Sequence, residues 1–173
     1  SQIRREKELE SAHVELEKRA TTDSLTGLYN RDYFTWKLRA LCQAGERSFI
    51  LILTDLDRFK RINDTYGHQV GDQALVTFAQ RLKSIARAED FVGRLGGDEF
   101  ALLVLTDPFT GAEALAERIL RNAHFDMDVN DQKLRVSASF GMDGYKKGST
   151  KRCSETLISN ADFALYRAKA SGR

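Results

Sequence analysis

FVGRLGGDEFALLVL, residues 91–105, is the stretch that decides the fold. Phe91–Leu95 and Glu99–Leu105 are two short apolar runs, and Gly96-Gly97 between them permits the positive φ that a tight reversal needs. The stretch therefore predicts a β-hairpin. Upstream, Phe49–Leu53 reads FILIL, a continuous apolar run that suits a central strand buried on both faces. Between the two lies a helix expected to follow Gly71, with Leu75, Phe78, Ala79, Leu82, Ile85 and Ala86 at helical spacing. Downstream, Thr110 and Glu113 suggest a capping box for a helix through Leu115, Ile119 and Ala123. Leu134, Val136, Ala138 and Phe140 then alternate as a half-buried strand does. The order strand, helix, strand, strand, helix, strand is the split, ferredoxin-like βαββαβ arrangement, an α/β (α+β) sandwich.

Further elements extend this core. Asn30 can cap a helix from Arg31 to near Ala44, with Phe34, Leu38 and Leu41 on one face and Gly45 as its stop. Residues 58–65 read as a short helical turn ending near Gly67, and Asn130-Asp131 as a small turn. A last helix carries Leu157, Ile158, Ala161, Leu165 and Ala168. Residues 1–20 differ in character, being rich in Glu, Lys and Arg with sparse apolar positions. Leu9 and Leu16 are seven apart, as in a coiled-coil seam, so the segment reads either as a solvated helix or as a helical stalk or linker from an upstream module. The domain proper is expected over residues 21–173.

Composition narrows the function. The chain has 173 residues, 42% hydrophobic and 30% charged, enough apolar sequence to exclude disorder as the whole description. No apolar run approaches the ~18 residues of a membrane span, and the charged start SQIRREKELE is unlike a signal peptide. A net charge of +2 argues against a general nucleic-acid binder. Cys42 and Cys153 belong to no metal-binding or redox motif and suit a reducing compartment.

Connectivity carries the chemistry. In a split unit, strand 99–105 lies between strands 49–54 and 91–95, antiparallel to both. The end of the first strand and the Gly96-Gly97 turn then share one edge of the sheet. Asp55 and Asp57 are expected there beside Asp98 and Glu99. Carboxylates gathered at one edge repel one another unless a cation sits among them, and hard oxygen donors suit Mg²⁺ or Mn²⁺ with substrate phosphates. Each part also has a bland reading: acids after a strand cap helices, and Gly-Gly makes tight turns.

RLGGDEF, Arg94–Phe100, resembles the signature of the GGDEF-domain family, the bacterial diguanylate cyclases. DSLTGLYNR (23–31), TDLDRFKRINDTYGHQVGD (54–72), SASFGM (137–142) and ADFALYRAKASGR (161–173) resemble the family's other blocks in the same order. The resemblance covers roughly residues 21–173. It implies a palm-like α/β fold, similar to nucleotidyl cyclases and polymerases. It also implies condensation of two GTP into cyclic di-GMP with release of two pyrophosphates, across a homodimer of domains.

The resemblance assigns metal binding to the Asp55 carboxylate, the Leu56 carbonyl and Asp98, with Glu99 supporting, and two Mg²⁺ or Mn²⁺ ions per GTP. Asp98, Glu99 and Lys60 become the catalytic set, with the general base left open. Lys60, Lys169 and Arg173 are expected to meet GTP phosphates, and Gly96 and Gly97 to let phosphate approach the backbone. Asn63 and Asp72 are expected to read guanine, whose donor edge an amide and a carboxylate suit. RAED, Arg87–Asp90, resembles the RxxD site at which product inhibits, and Arg118 matches a second arginine of that site. Arg suits such a role because its planar fork binds phosphate or guanine and stacks on purines. Without the resemblance, Asn63 reads equally as a cap, Asp72 as an acid favouring a helix dipole, and the cations as solvated surface. His68 reads as a loop-structuring residue.

An active, product-inhibited cyclase fed by an upstream sensory domain is thus the leading expectation, with a catalytically silent module that binds GTP or cyclic di-GMP as the alternative. A dimerisation domain driven by the N-terminal helix is a third reading. The catalytic domain is expected in the cytoplasm, with membrane anchoring of the full protein left open.

Overall fold

The computed structural model describes residues 1–149 and 154–172, so that Cys153 and Arg173 lie outside the described residues. Strand β1 (Phe49–Leu56) runs through the middle, and all eight of its residues are buried. Its even-numbered residues Ile50, Ile52 and Leu56 face one core; Phe49, Leu51 and Leu53 face the other. Burial on both faces is why FILIL shows no alternation.

Two helices precede β1: α1 (Gln2–Thr21) and α2 (Arg31–Ala44). After β1 come α3 (Phe59–Tyr66), α4 (His68–Ile85), and the hairpin of β2 (Phe91–Gly96) and β3 (Glu99–Val104). Then follow α5 (Pro108–Asn122), β4 (His124–Val129), β5 (Gln132–Tyr145) and α6 (Ser154–Gly172). The sheet order is β2-β3-β1-β5-β4 with every pair antiparallel. β1 and β2 are accordingly parallel with β3 between them, the ferredoxin-like arrangement expected from the connectivity.

Helices cover both faces. Leu75, Phe78 and Leu82 of α4, with Leu115 and Ile119 of α5, fill the first core. There Phe78 meets Phe100 edge-on with centroids 5.1 Å apart, a favoured aromatic geometry. Phe34 and Leu38 of α2, with Leu157, Ala161 and Leu165 of α6, fill the second. The α2 boundaries follow the expected signals: the Asn30 side chain accepts from the Tyr33 amide at 2.9 Å, and Gly45 closes the helix at φ 63°. By contrast α1 buries no residue, and Leu9 and Leu16 stay 71% and 65% exposed.

Several expectations are corrected. The α4 helix starts at His68, three residues before Gly71, and continues through it. The Thr110–Glu113 capping box does not form. Asp107 is the cap, accepting from the Phe109 amide at 2.8 Å, because Pro108 fixes the first helical φ one residue later. Strand β4 was not expected. The small turn expected at Asn130-Asp131 is present: both residues adopt positive φ (51° and 62°) and reverse β4 into β5. Ile158 faces outward at 37% exposure instead of joining the core.

Candidate active site

The acidic edge is built by register. Asp55 pairs directly with Glu99 across β1 and β3, which places their side chains on one face. Asp55 is only 6% exposed. Burial raises its pKa; the nearby Asp98 and Asp57 charges add to this, while the Lys169 ammonium opposes it. Lys169 reaches down from α6 and donates to Asp55 Oδ2. Asp55 Oδ1 is buried with no hydrogen-bond partner. A buried, unsatisfied carboxylate oxygen is costly, so this atom is suited to a cation.

Asp57 lies near enough for its charge to act on Asp55, but, contrary to the expectation of four convergent acids, its oxygens are already engaged. Its two oxygens accept from the Ser137 and Ser139 hydroxyls at 2.7 and 2.6 Å. These bonds instead lock the end of β1 onto β5. Glu99 is exposed and lies 4.0 Å from Arg31, while Asp98 sits half-buried in the turn. No group of three or more acidic, His or Cys side chains forms a ready-made metal cage among the described residues.

The Gly96-Gly97 turn carries φ of 139° and 50°, with open space where a Cβ would stand. Glycine is required there by backbone conformation, and the bare backbone stays approachable. Arg94 holds the turn: its guanidinium donates twice to the Gly97 carbonyl, at 3.0 and 2.8 Å, and reaches both Asp23 oxygens at 3.2 and 3.3 Å. Asp23 also accepts from the Thr26 amide and hydroxyl. Burial pushes its pKa up, but these hydrogen bonds and the Arg94 charge outweigh that and hold it low.

The expected guanine readers are brought together by one glycine. A Cβ on buried Gly71 would fall 1.8 Å from Asn63 Oδ1, so the Asn63 amide lies against the backbone of α4 beside Asp72. Asp72 and Lys60 are exposed. The Leu56 side chain is buried in the first core.

At the opposite end of the β2–β3 hairpin, RAED closes on itself. Asp90 accepts from the Arg87 amide at 2.8 Å and from the Leu105 amide at 2.9 Å, fixing the loop against the end of β3. Arg87 is exposed, and it lines a small cleft of about 120 Å³ together with Arg118. Arg118 Nε is buried there without a hydrogen-bond partner.

Residues 20–173 match the family described as diguanylate cyclase, GGDEF domain. The chain belongs to the GGDEF-domain family. This GGDEF domain is 38% identical over 168 residues to the bifunctional diguanylate cyclase/cyclic di-GMP phosphodiesterase MucR of Pseudomonas aeruginosa, covering 95% of this chain and 24% of MucR. It is 40% identical over 161 residues to the response regulator PleD of Caulobacter vibrioides, covering 89% of this chain and 35% of PleD. The chain thus spans a quarter to a third of these relatives. Its fold is similar to the solved coiled coil and GGDEF domain of DgcB from Caulobacter crescentus in complex with c-di-GMP. That likeness has a TM-score of 0.86 at 27% identity and covers 99% of this chain and 92% of that one.

Two supports of the GGDEF domain's site were not anticipated from sequence. One is the Asp23–Arg94 clamp, whose halves are 71 residues apart although both fall in quoted motifs. The other is Gly141, where a Cβ would sit 2.2 Å from the Ala161 carbonyl and the Leu165 amide of α6. Its missing side chain lets α6 press onto β5, which brings Lys169 to Asp55. A glycine in an otherwise alternating strand is the signal for such close approach.

Proposed function

We propose that this GGDEF domain is a diguanylate cyclase, joining two GTP into cyclic di-GMP and two pyrophosphates. The observation that carries the reading is the buried, unpartnered Asp55 Oδ1 at the edge shared with the Gly96-Gly97 turn. Asp55, the Leu56 carbonyl and Asp98 would hold divalent metal, two Mg²⁺ or Mn²⁺ per GTP, with Glu99 in support. Bound there, the ions would lower the pKa of the attacking 3′-hydroxyl and offset the charge of the leaving pyrophosphate.

The chain's own residues do the rest. Lys60 and Lys169 offset the triphosphate charge, joined by Arg173, and the Gly96-Gly97 backbone lets the phosphates come close. When phosphate draws the Lys169 ammonium, Asp55 is released from its internal pair. Asn63 and Asp72 select guanine. Each 3′-oxygen attacks the α-phosphorus of the other GTP, forming one P–O bond as the bond to pyrophosphate breaks. One domain presents one GTP, so two domains must face each other, and positioning supplies much of the acceleration. The exposed α1 is read as a stalk that brings two copies together below an upstream sensory domain. The DgcB likeness, which extends over a coiled coil, supports this.

Arg87, Asp90 and Arg118 are read as the inhibitory product site. The partnerless Arg118 Nε beside Arg87 suits an anionic ligand. Among the described residues no helix is long and apolar enough to cross a membrane.

The test is incubation with GTP and Mg²⁺ followed by chromatographic separation of nucleotides, beside an Asp98→Ala control. Cyclic di-GMP from the parent alone is the expected result. GTP or cyclic di-GMP bound without product at high protein concentration would make the domain a silent binding module.

A further inference from the structure

A second charged cleft lies outside both sites. It opens between α3 and the start of β5, with a volume of about 460 Å³. Arg58 reaches it from the β1–α3 junction, Arg61 from α3 and Arg135 from β5; Tyr66 and Thr65 complete the wall. Arg58 and Arg61 make no ion pair among the described residues, whereas Arg135 donates to Asp126 at 3.1 Å. The one acid lining the cleft, Asp57, has each oxygen engaged by a serine hydroxyl. Arg58 and Arg61, with the Asp126-paired Arg135 beside them, thus outnumber the one carboxylate on the cleft wall, Asp57. Like charges so placed repel unless an anion lies among them.

The backbone adds a second observation. Arg58 stands at φ 53°, ψ 36°, a left-handed conformation that bulky residues rarely adopt and that recurs at ligand sites. It sets the Arg58 side chain on the wall of this cleft. The space is larger than one phosphate requires, and planar guanidinium forks match phosphate oxygens in pairs.

We propose that the Arg58–Arg61–Arg135 cleft binds a polyphosphate anion, a site distinct from the metal edge. The anion is free pyrophosphate or the triphosphate of a nucleotide. This goes beyond the cyclase reading and does not depend on turnover.

The test is equilibrium dialysis of labelled pyrophosphate against the whole chain in EDTA, so that metal-dependent binding at Asp55 is silent. Arg61→Ala is expected to weaken binding by about tenfold or more, as loss of a charged hydrogen-bond donor does. Arg61→Lys keeps the charge but loses the paired donors, so it should bind more weakly than the parent and more tightly than Arg61→Ala. Arg58→Gly, which suits the left-handed backbone, should reproduce the Ala loss while melting normally. Lys60→Ala should leave this binding unchanged. Displacement by unlabelled GTP or pyrophosphate then identifies the source, the tighter competitor being the ligand; either order upholds the site. Binding unaffected by Arg61→Ala and Arg58→Gly, binding lost in Lys60→Ala, or no binding at all would overturn it.

Discussion

The two ends of the β2–β3 hairpin solve opposite electrostatic problems. At the Gly96-Gly97 end a carboxylate is buried, and its charge is met from within the chain by Lys169. At the Arg87 end the acid is spent on backbone amides, and an arginine is left exposed beside another whose Nε has no partner. One end is suited to a cation and the other to an anion. The hairpin joining them is anchored in the core, with Ala101, Leu102 and Leu103 fully buried in its inner strand. The contrast teaches that the acidic end is a device of the fold itself, dependent on register and on α6. The basic end is a surface feature whose loss should leave the fold intact.

The largest expected effect breaks the acidic end. Asp55→Asn or Asp98→Ala should lower cyclic di-GMP formation by about 10²–10³, the scale of removing one preorganised transition-state group. Titration of Mg²⁺ against initial rate checks this, and a change of less than about threefold would contradict it. Next, Gly141→Ala should force α6 away from β5. Overpacking costs about 1–3 kcal/mol, or a fall in Tm of several degrees for a chain of this size. Activity should fall with it, because Lys169 and Asp55 separate.

The Asp23–Arg94 clamp sharpens the comparison by tying the acidic end to the segment after α1. Arg94→Ala should release the Gly97 carbonyl and lower the initial rate by roughly tenfold, since small misplacements at a reacting centre are costly. Asp23 supplies a pH signature. Its folded pKa is depressed, so its stabilisation is complete above its ordinary pKa and fades as pH falls through the lowered folded value. Acid melts of Asp23→Asn should therefore differ from the parent most at neutral pH and converge as the pH falls below the lowered folded value.

The smallest effect on fold and rate is expected at the basic end. Arg87→Ala should change stability by less than about 0.5 kcal/mol and leave the initial rate unaltered. Progress curves should nevertheless run on where the parent's level off. A matching early plateau in the variant would sever Arg87 from inhibition.

Much of this contrast was legible in the sequence. The hairpin, the buried strand FILIL and the α2 caps follow from turn chemistry and patterning, and the nearness of Asp55 to Glu99 follows from the connectivity they impose. What escaped depends on contacts between distant segments. Asp57 is satisfied by serines 80 and 82 residues away, which no local pattern announces. Strand β4 has three inward apolar residues, Phe125, Met127 and Val129, too few to stand out. Its outward Asp126 and Asp128 are paired with Arg135 and Lys133 on β5. The α5 start was misplaced because Thr110–Glu113 fits a capping pattern, while Asp107-Pro108 does so three residues earlier and more strongly. Gly141 carried a readable signal, but its meaning lay in the backbone of α6.

The measurement that tests the central claim most directly is product stoichiometry at several protein concentrations, with GTP and Mg²⁺. The account predicts two pyrophosphates for each cyclic di-GMP, and a specific activity that rises with protein concentration as two domains meet. Pyrophosphate release without cyclic di-GMP, or a specific activity independent of concentration in a strictly monomeric protein, would contradict it.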